Sequence, residues 1–174
     1  MRRCVPALLL CALAVCPPAS AHGQDTEWNR YTLENLDGVH VRIDVDDTCQ
    51  AAGVAPADFE ASTSLQLIEA EVGVLTQEEM LEHLALPELR VSLDCADGSE
   101  GPLAYSVGLR VQQAAQMLRD NQITLSEAVT WYSTEVGVTT AANASSEIGD
   151  ALTAQLDAFA EAWKTANADD EGRR

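Results

Sequence analysis

Glu88-Leu89-Arg90-Val91-Ser92-Leu93-Asp94-Cys95 and, after a short gap, Leu103-Ala104-Tyr105-Ser106-Val107-Gly108-Leu109-Arg110-Val111 decide the fold. In both stretches apolar and polar residues alternate at period two, so each is a strand with one buried face. The segment between them contains Asp97-Gly98-Ser99-Glu100-Gly101-Pro102, a turn in almost any context. Together they predict an antiparallel hairpin. Upstream, Val39, Val41, Ile43 and Val45 alternate with His40, Arg42, Asp44 and Asp46 in the same way. Downstream, Ala128-Val129-Thr130-Trp131-Tyr132 has the β-branched and aromatic content of a further strand, joined through Arg119-Asp120-Asn121-Gln122. The run from Gln112 to Met117 is open to two readings, a continuation of the strand or a helix.

Between the first strand and the hairpin the period changes. Pro56 suits the first turn of a helix, where its missing N–H goes unused, and Asp58 and Glu60 sit at the positive end of the helix dipole. Ala61, Leu65, Ile68 and Val72 are the expected apolar stripe, and Gly73 the expected stop. Val74-Leu75 is a short strand, and Thr76 with Glu79 forms a capping box for a turn or two of helix through Leu84. From about Ser146, capped by Ser145 or Ser146, a long helix carries Ile148, Leu152, Leu156, Phe159 and Trp163 at steps of four and three. The expectation is an α+β two-layer domain: a mostly antiparallel four- or five-stranded sheet with two amphipathic helices on one face and the other face only partly covered.

The domain boundaries follow from composition. Met1-Arg2-Arg3, an apolar run from Cys4 to Cys16 and Ala19-Ser20-Ala21 predict a cleaved signal peptide over 1–21. The run is shorter than the roughly 20 residues of a membrane span. Leu13-Ala14-Val15-Cys16 has the outline of a lipoprotein cleavage box, but Val15 is too bulky for the residue before a lipidated cysteine. A loose leader is expected over 22–36, one α+β domain over 37–167 and a frayed tail over 168–174. The address is periplasmic or secreted.

Formal net charge is −18, and removal of Arg2 and Arg3 with the signal peptide deepens it by two. Such a chain has no basic stripe to displace counterions from phosphate, which argues against nucleic acid and against anionic lipid head groups. Of five cysteines only Cys49 and Cys95 remain after cleavage. An even count in an oxidising compartment reads as a disulfide, with two buried thiols or a pair awaiting a partner as the alternatives.

The packing and turn residues resemble a family of small exported bacterial proteins of unknown function. The resemblance spans most of the mature chain. It rests on Val39-His40-Val41-Arg42-Ile43, the Gly53-Val54-Ala55-Pro56 helix start, Val72-Gly73-Val74-Leu75, Pro87-Glu88-Leu89-Arg90-Val91, Thr130-Trp131-Tyr132 and the Phe159/Trp163 helix. In that family the helix start usually reads Gly-Leu and its exit Gly-Ile-x-Val; Val54 and Gly73-Val74-Leu75 depart from this. The layout is also similar to small envelope accessory domains such as the N-terminal domain of TolB-type proteins, at the level of fold alone. Neither resemblance implies a catalytic residue.

Chemistry-bearing residues add little. His22, His40 and His83 share no metal-ligand spacing with each other or with a cysteine, and no Gly-x-Ser-x-Gly elbow accompanies them. Asp44 and Asp46 are expected on the same solvent side of their strand beside Asp47, as a charged strand end rather than a weak calcium site. Glu69, Glu71, Glu78, Glu79 and Glu82 read as a solvated helical face. Trp131 and Trp163 fit the core, whereas Trp28 falls outside every pattern and is a candidate partner contact. Asn143-Ala144-Ser145 matches a glycosylation acceptor by chance. The expectation is therefore an exported, non-catalytic binding or accessory protein of the cell envelope. It has no cofactor, no metal and no stable membrane insertion, acts through a protein partner of unknown identity, and leaves its oligomeric state open. A small-ligand carrier is the alternative, and a carboxylate-based hydrolase follows it.

Overall fold

The computed structural model describes residues 26–98 and 101–168. The expected signal peptide, Cys16, His22 and residues 169–174 of the tail lie outside the described residues. Along the chain the elements are α1 (Glu27–Arg30), a 3-10 turn (Tyr31–Leu33), β1 (Val39–Val45), α2 (Asp47–Ala51), α3 (Pro56–Glu69), β2 (Val74–Leu75), α4 (Gln77–Glu82), β3 (Glu88–Asp97), β4 (Pro102–Gln116), β5 (Thr124–Thr140) and α5 (Ala144–Asn167). The fold is α+β, an open five-stranded sheet of order β2-β1-β3-β4-β5 packed against α3 and α5. The β3-β4-β5 meander is antiparallel, as expected, while β1 pairs in parallel with both β2 and β3.

The core follows from the alternation. Val39 and Val41 of β1, Leu89, Val91 and Leu93 of β3, and Val107, Leu109 and Val111 of β4 point to one face. Ile148, Leu152, Leu156, Phe159 and Trp163 of α5 close over it. Trp131 of β5 meets Phe159 at 5.2 Å between ring centroids, and Phe159 meets Trp163 at 6.0 Å, both tilted as aromatic quadrupoles prefer.

Helix α3 corrects the expected stripe. Leu65 and Ile68 are more than half exposed, and the buried residues are Phe59, Thr63 and Leu67, at steps of four. Gly73 is not the stop either. Glu71 takes the left-handed conformation with φ 64°, its N–H donates to the Ile68 carbonyl, and the Val72 N–H donates to the Leu67 carbonyl at 2.9 Å. That is a Schellman ending, and Val72, itself buried, provides its apolar contact. Gly73 serves close approach instead: a Cβ there would strike the Asp37 carbonyl oxygen, and one on Gly38 would lie 2.5 Å from the Gly73 oxygen. This approach lets the Val39 N–H reach the Gly73 carbonyl at 2.9 Å and start the β1–β2 ladder.

The stretch 26–36, expected as a loose leader, belongs to the domain. Leu33 is fully buried and Leu36 nearly so. Asn29 donates to the Thr130 carbonyl at 2.7 Å, Gln113 to the Thr32 carbonyl at 2.9 Å, and Asn167 at the end of α5 to the Leu33 carbonyl at 3.2 Å. Helix α5 starts at Ala144 with Asn143 as its cap residue, slightly before the serines expected to cap it, and Asn143 makes no side-chain capping bond. The run from Gln112 to Gln116 is strand, not helix.

Cys49 and Cys95 form a disulfide, with Cα atoms 5.1 Å apart and a sequence separation of 46. Closing such a loop contributes about 4 kcal/mol in the chain-entropy account. Asp46 supports the link: its carboxylate accepts the Cys49 N–H and the Cys95 N–H, each at 2.7 Å. The first of these caps α2, a five-residue helix that the sequence reading did not include.

The α3 register has a direct test. Leu67→Ala is expected to lower stability by about 2–5 kcal/mol, as for a filled core position. Ile68→Ala, one residue away on the exposed side, is expected to change it by about 0.5 kcal/mol or less. Chemical denaturation of both variants measures the difference.

Candidate functional site

Because side chains alternate across a strand, fixing the core face also fixes what the opposite face carries. On β1 these residues are His40, Arg42 and Asp44; on β3, Glu88, Arg90, Ser92, Asp94 and Ala96; on β4, Ala104, Ser106, Gly108, Arg110 and Gln112. On β5 they are Tyr132, Thr134, Val136 and Val138. A bulge between Val111 and Gln112 places two residues of β5, Thr130 and Val129, where one would serve. Val129 thereby pairs with Gln112 and joins the open face, whereas Thr130 turns to the Gln113 amide, which donates to its hydroxyl at 2.7 Å.

The register aligns three of the chain's few cations. Arg42 is opposite Arg90, Arg90 opposite Arg110, and Arg110 opposite Tyr132. Six basic residues fall within the described residues, Arg30, Arg42, Arg90, Arg110, Arg119 and Lys164, so half of them make this single row. The strand spacing makes the row of three arginines about 10 Å long. Like charges placed opposite one another in a sheet are unfavourable unless something neutralises them. Asp44 does so at one end, accepting from the Arg90 Nε at 2.5 Å and lying 3.5 Å from the Arg42 Nε. Arg110 has no such partner: among the described residues its side chain makes no hydrogen bond or ion pair, and its Nε is buried. The Gln112 Oε1, two residues along the same strand, is also buried without a hydrogen-bond partner. A buried donor or acceptor left unmade costs about 1–3 kcal/mol.

Beside the arginines the face is apolar. Val136 and Val138 are each 68% exposed, and Val129 and Tyr132 are also exposed. All four lie on β5, the edge strand of the sheet. Trp28 on α1 is 81% exposed and packs edge-on against Tyr31 at 5.9 Å, while its neighbour Asn29 ties α1 to β5. The opposite, helical side of the molecule is acidic. Asp58, Glu60 and Glu69 on α3 and Glu147, Asp150, Asp157 and Glu161 on α5 stand against Lys164 alone.

The other candidate residues disperse. The His40 Nδ1 lies 3.1 Å from the Leu75 carbonyl oxygen, and the His83 Nε2 lies 3.6 Å from Asp37. Asp44 and Asp46 do not share a solvent-facing site, because Asp46 turns inward to cap α2 and hold Cys95. Asp46, Cys49 and Cys95 bring ligand-type atoms within 4.8 Å of one another. The disulfide removes both thiolates, and two amides occupy the carboxylate, so the donor set is unsuited to a metal. The expected acidic face breaks up: Glu69 lies on α3, Glu71 beyond its end, and Glu78, Glu79 and Glu82 on α4. Glu79 closes the expected capping box with Thr76, whose N–H and hydroxyl both donate to it and hold its carboxyl below the usual range.

The surface grooves among the described residues include two of similar size. One, of about 300 Å³, is lined by Asp47, Thr48, Asp97 and Leu103. The other, of about 330 Å³, is lined by Asp37, Leu75, Glu79, Glu82 and His83. Each is at the lower end of small-molecule pocket sizes and bordered by acids. No helix among the described residues is long and apolar enough to cross a membrane. The disulfide is consistent with an oxidising compartment.

On the helical side, Tyr105 lies over its cross-strand partner Gly137, filling the space a side chain there would take. Burial raises its hydroxyl pKa above the usual tyrosine value, and Glu135, Glu147 and Asp150 raise it further. Below the ordinary tyrosine value near 10 the phenol is protonated folded and unfolded alike, and its contribution to stability is complete. As pH climbs through the folded value the unfolded chain releases its proton first, and that contribution is lost. Tyr105→Phe is therefore expected to flatten the alkaline fall in stability, measured as thermal unfolding against pH.

No protein-family model, curated protein or solved structure matches this chain.

Proposed function

We propose that the protein is an exported, non-catalytic binding or accessory module of the bacterial cell envelope, whose open sheet face docks a protein partner. The observation that carries this reading is the exposed apolar strip of Val129, Tyr132, Val136 and Val138 along β5, which meets the arginine row at Tyr132. Exposed apolar side chains gathered on one edge strand, beside polar neighbours, have the make-up of a protein-docking patch. Edge strands that fold without a partner commonly carry lysine, proline or inward-pointing charge as protection. Strand β5 has none of the first two along Thr124–Thr140, and its inward-pointing charge is Glu135, which accepts from Gln155 of α5 at 3.1 Å. The residues Trp28 and Tyr31 extend the aromatic surface beside that strand.

The reading is tested by in-cell photocrosslinking from single positions, followed by mass spectrometry. A crosslinker at Val136 is expected to capture one recurrent envelope protein, and one at Leu65 on the helical side is not. Monomer alone from Val136, or the same captured protein from both positions, would remove the open face as the docking surface.

A further inference from the structure

We infer that the arginine row on the open face is a carboxylate-binding site, and that the docking partner presents an acidic segment to Arg110 and Arg90. This rests on the docking reading above and specifies its chemistry. The argument is one of charge complementarity. Formal net charge is −18, so an acidic partner is repelled by most of this surface. Against that background three arginines are placed side by side by the register of β1, β3 and β4.

Their own chain does not satisfy them. Among the described residues Asp44 is the one carboxylate in an ion pair with the row, and it serves Arg90 and Arg42, while Glu88 and Asp94 lie on the same face of β3. The Arg110 Nε is covered yet makes no hydrogen bond, and the neighbouring Gln112 Oε1 is in the same condition. A guanidinium presents a planar fork of donors that matches the two oxygens of a carboxylate. Arg110 can accept such a group while Arg90 keeps its Nε on Asp44 and offers its remaining donors. The residue opposite Arg110 on the outer side is Tyr132, and beyond it along β5 are Val136 and Val138. An occupant that reaches both Arg110 and these valines runs about 13 to 20 Å along β5, which favours an extended protein segment of mixed glutamate or aspartate and aliphatic residues over a free small acid.

A second copy of this chain is the natural competitor, since its own helical side is acidic. Such head-to-tail contact gives rings where the rotation closes and open chains where it does not.

The probes are an acetylated, amidated hexapeptide alternating glutamate and valine, and its twin with glutamine replacing glutamate. With the purified protein, the glutamate peptide is expected to bind about tenfold tighter than its twin or better. The preference shrinks as salt rises from about 50 to about 300 mM. Arg110→Gln abolishes the preference, Arg42→Gln at the more exposed end of the row reduces it, and Arg119→Gln off the face leaves it intact. Equal binding of the two peptides, binding of neither, or a preference that persists in folded Arg110→Gln would overturn the inference. Self-association that Arg110→Gln abolishes, without peptide preference, would assign the row to a second copy and overturn it equally. Capture from Val136 separates this from the docking reading. If Arg110→Gln captures the same partner as the unaltered protein, the carboxylate site falls and the docking face stands. If the unaltered protein captures nothing, both fall.

Discussion

The contact between Trp131 on β5 and Phe159 on α5 sets the rest of the molecule in place. It buries the largest side chain of the edge strand against the long helix, 5.2 Å from ring to ring, and so fixes which side of the sheet is inside. Period two does the remainder. Once Leu89, Val91, Leu109 and Val111 face the core with Trp131, Arg90 and Arg110 face outward, and Tyr132, the residue after Trp131, joins them on the outer side. The functional proposal is thus a consequence of the core.

A second constraint holds the parallel half of the sheet. Strands β1 and β3 are joined in parallel, a pairing that no tight turn can supply. The Cys49–Cys95 disulfide and the Asp46 carboxylate both tie the chain leaving β1 to the end of β3. At the other end, glycines 38 and 73 bring the two backbones close enough to begin the β1–β2 ladder. With both ends held, Arg42 is kept opposite Arg90, and the row is continuous.

Much of the fold was legible because its strands bury one face each, so Val39–Val45, Glu88–Asp97 and the first part of Pro102–Gln116 show clean alternation. The errors have physical causes. In α3 the buried stripe contains Thr63, and the large apolar residues Leu65 and Ile68 lie outside it, so hydrophobicity pointed to the wrong face. Glu71 adopts a positive φ that glycine usually supplies, which hid the true helix end behind Gly73. Strand β5 runs over 17 residues, yet its bulge shifts the alternation near Thr130 and its outer valines are exposed. Helix α2 has five residues and little periodic signal. The 26–36 stretch is polar overall, and its anchoring through Leu33 and three side-chain amides is long-range.

The candidate site was less legible than the fold. Arg42, Arg90 and Arg110 each looked like an ordinary outward residue of a strand, and nothing in a linear reading of so acidic a chain draws attention to them. Only the register across three strands gathers them. The central claim is that one face of the sheet is sealed by α5 and the other, bearing arginine and exposed aliphatic groups, is open. Hydroxyl-radical footprinting of the free protein tests it most directly, because Trp131 and Tyr132 are adjacent in sequence and assigned to opposite faces. The account predicts strong labelling of Tyr132 with protection of Trp131. Equal labelling of the two, or protection of Tyr132 in the monomer, would contradict it.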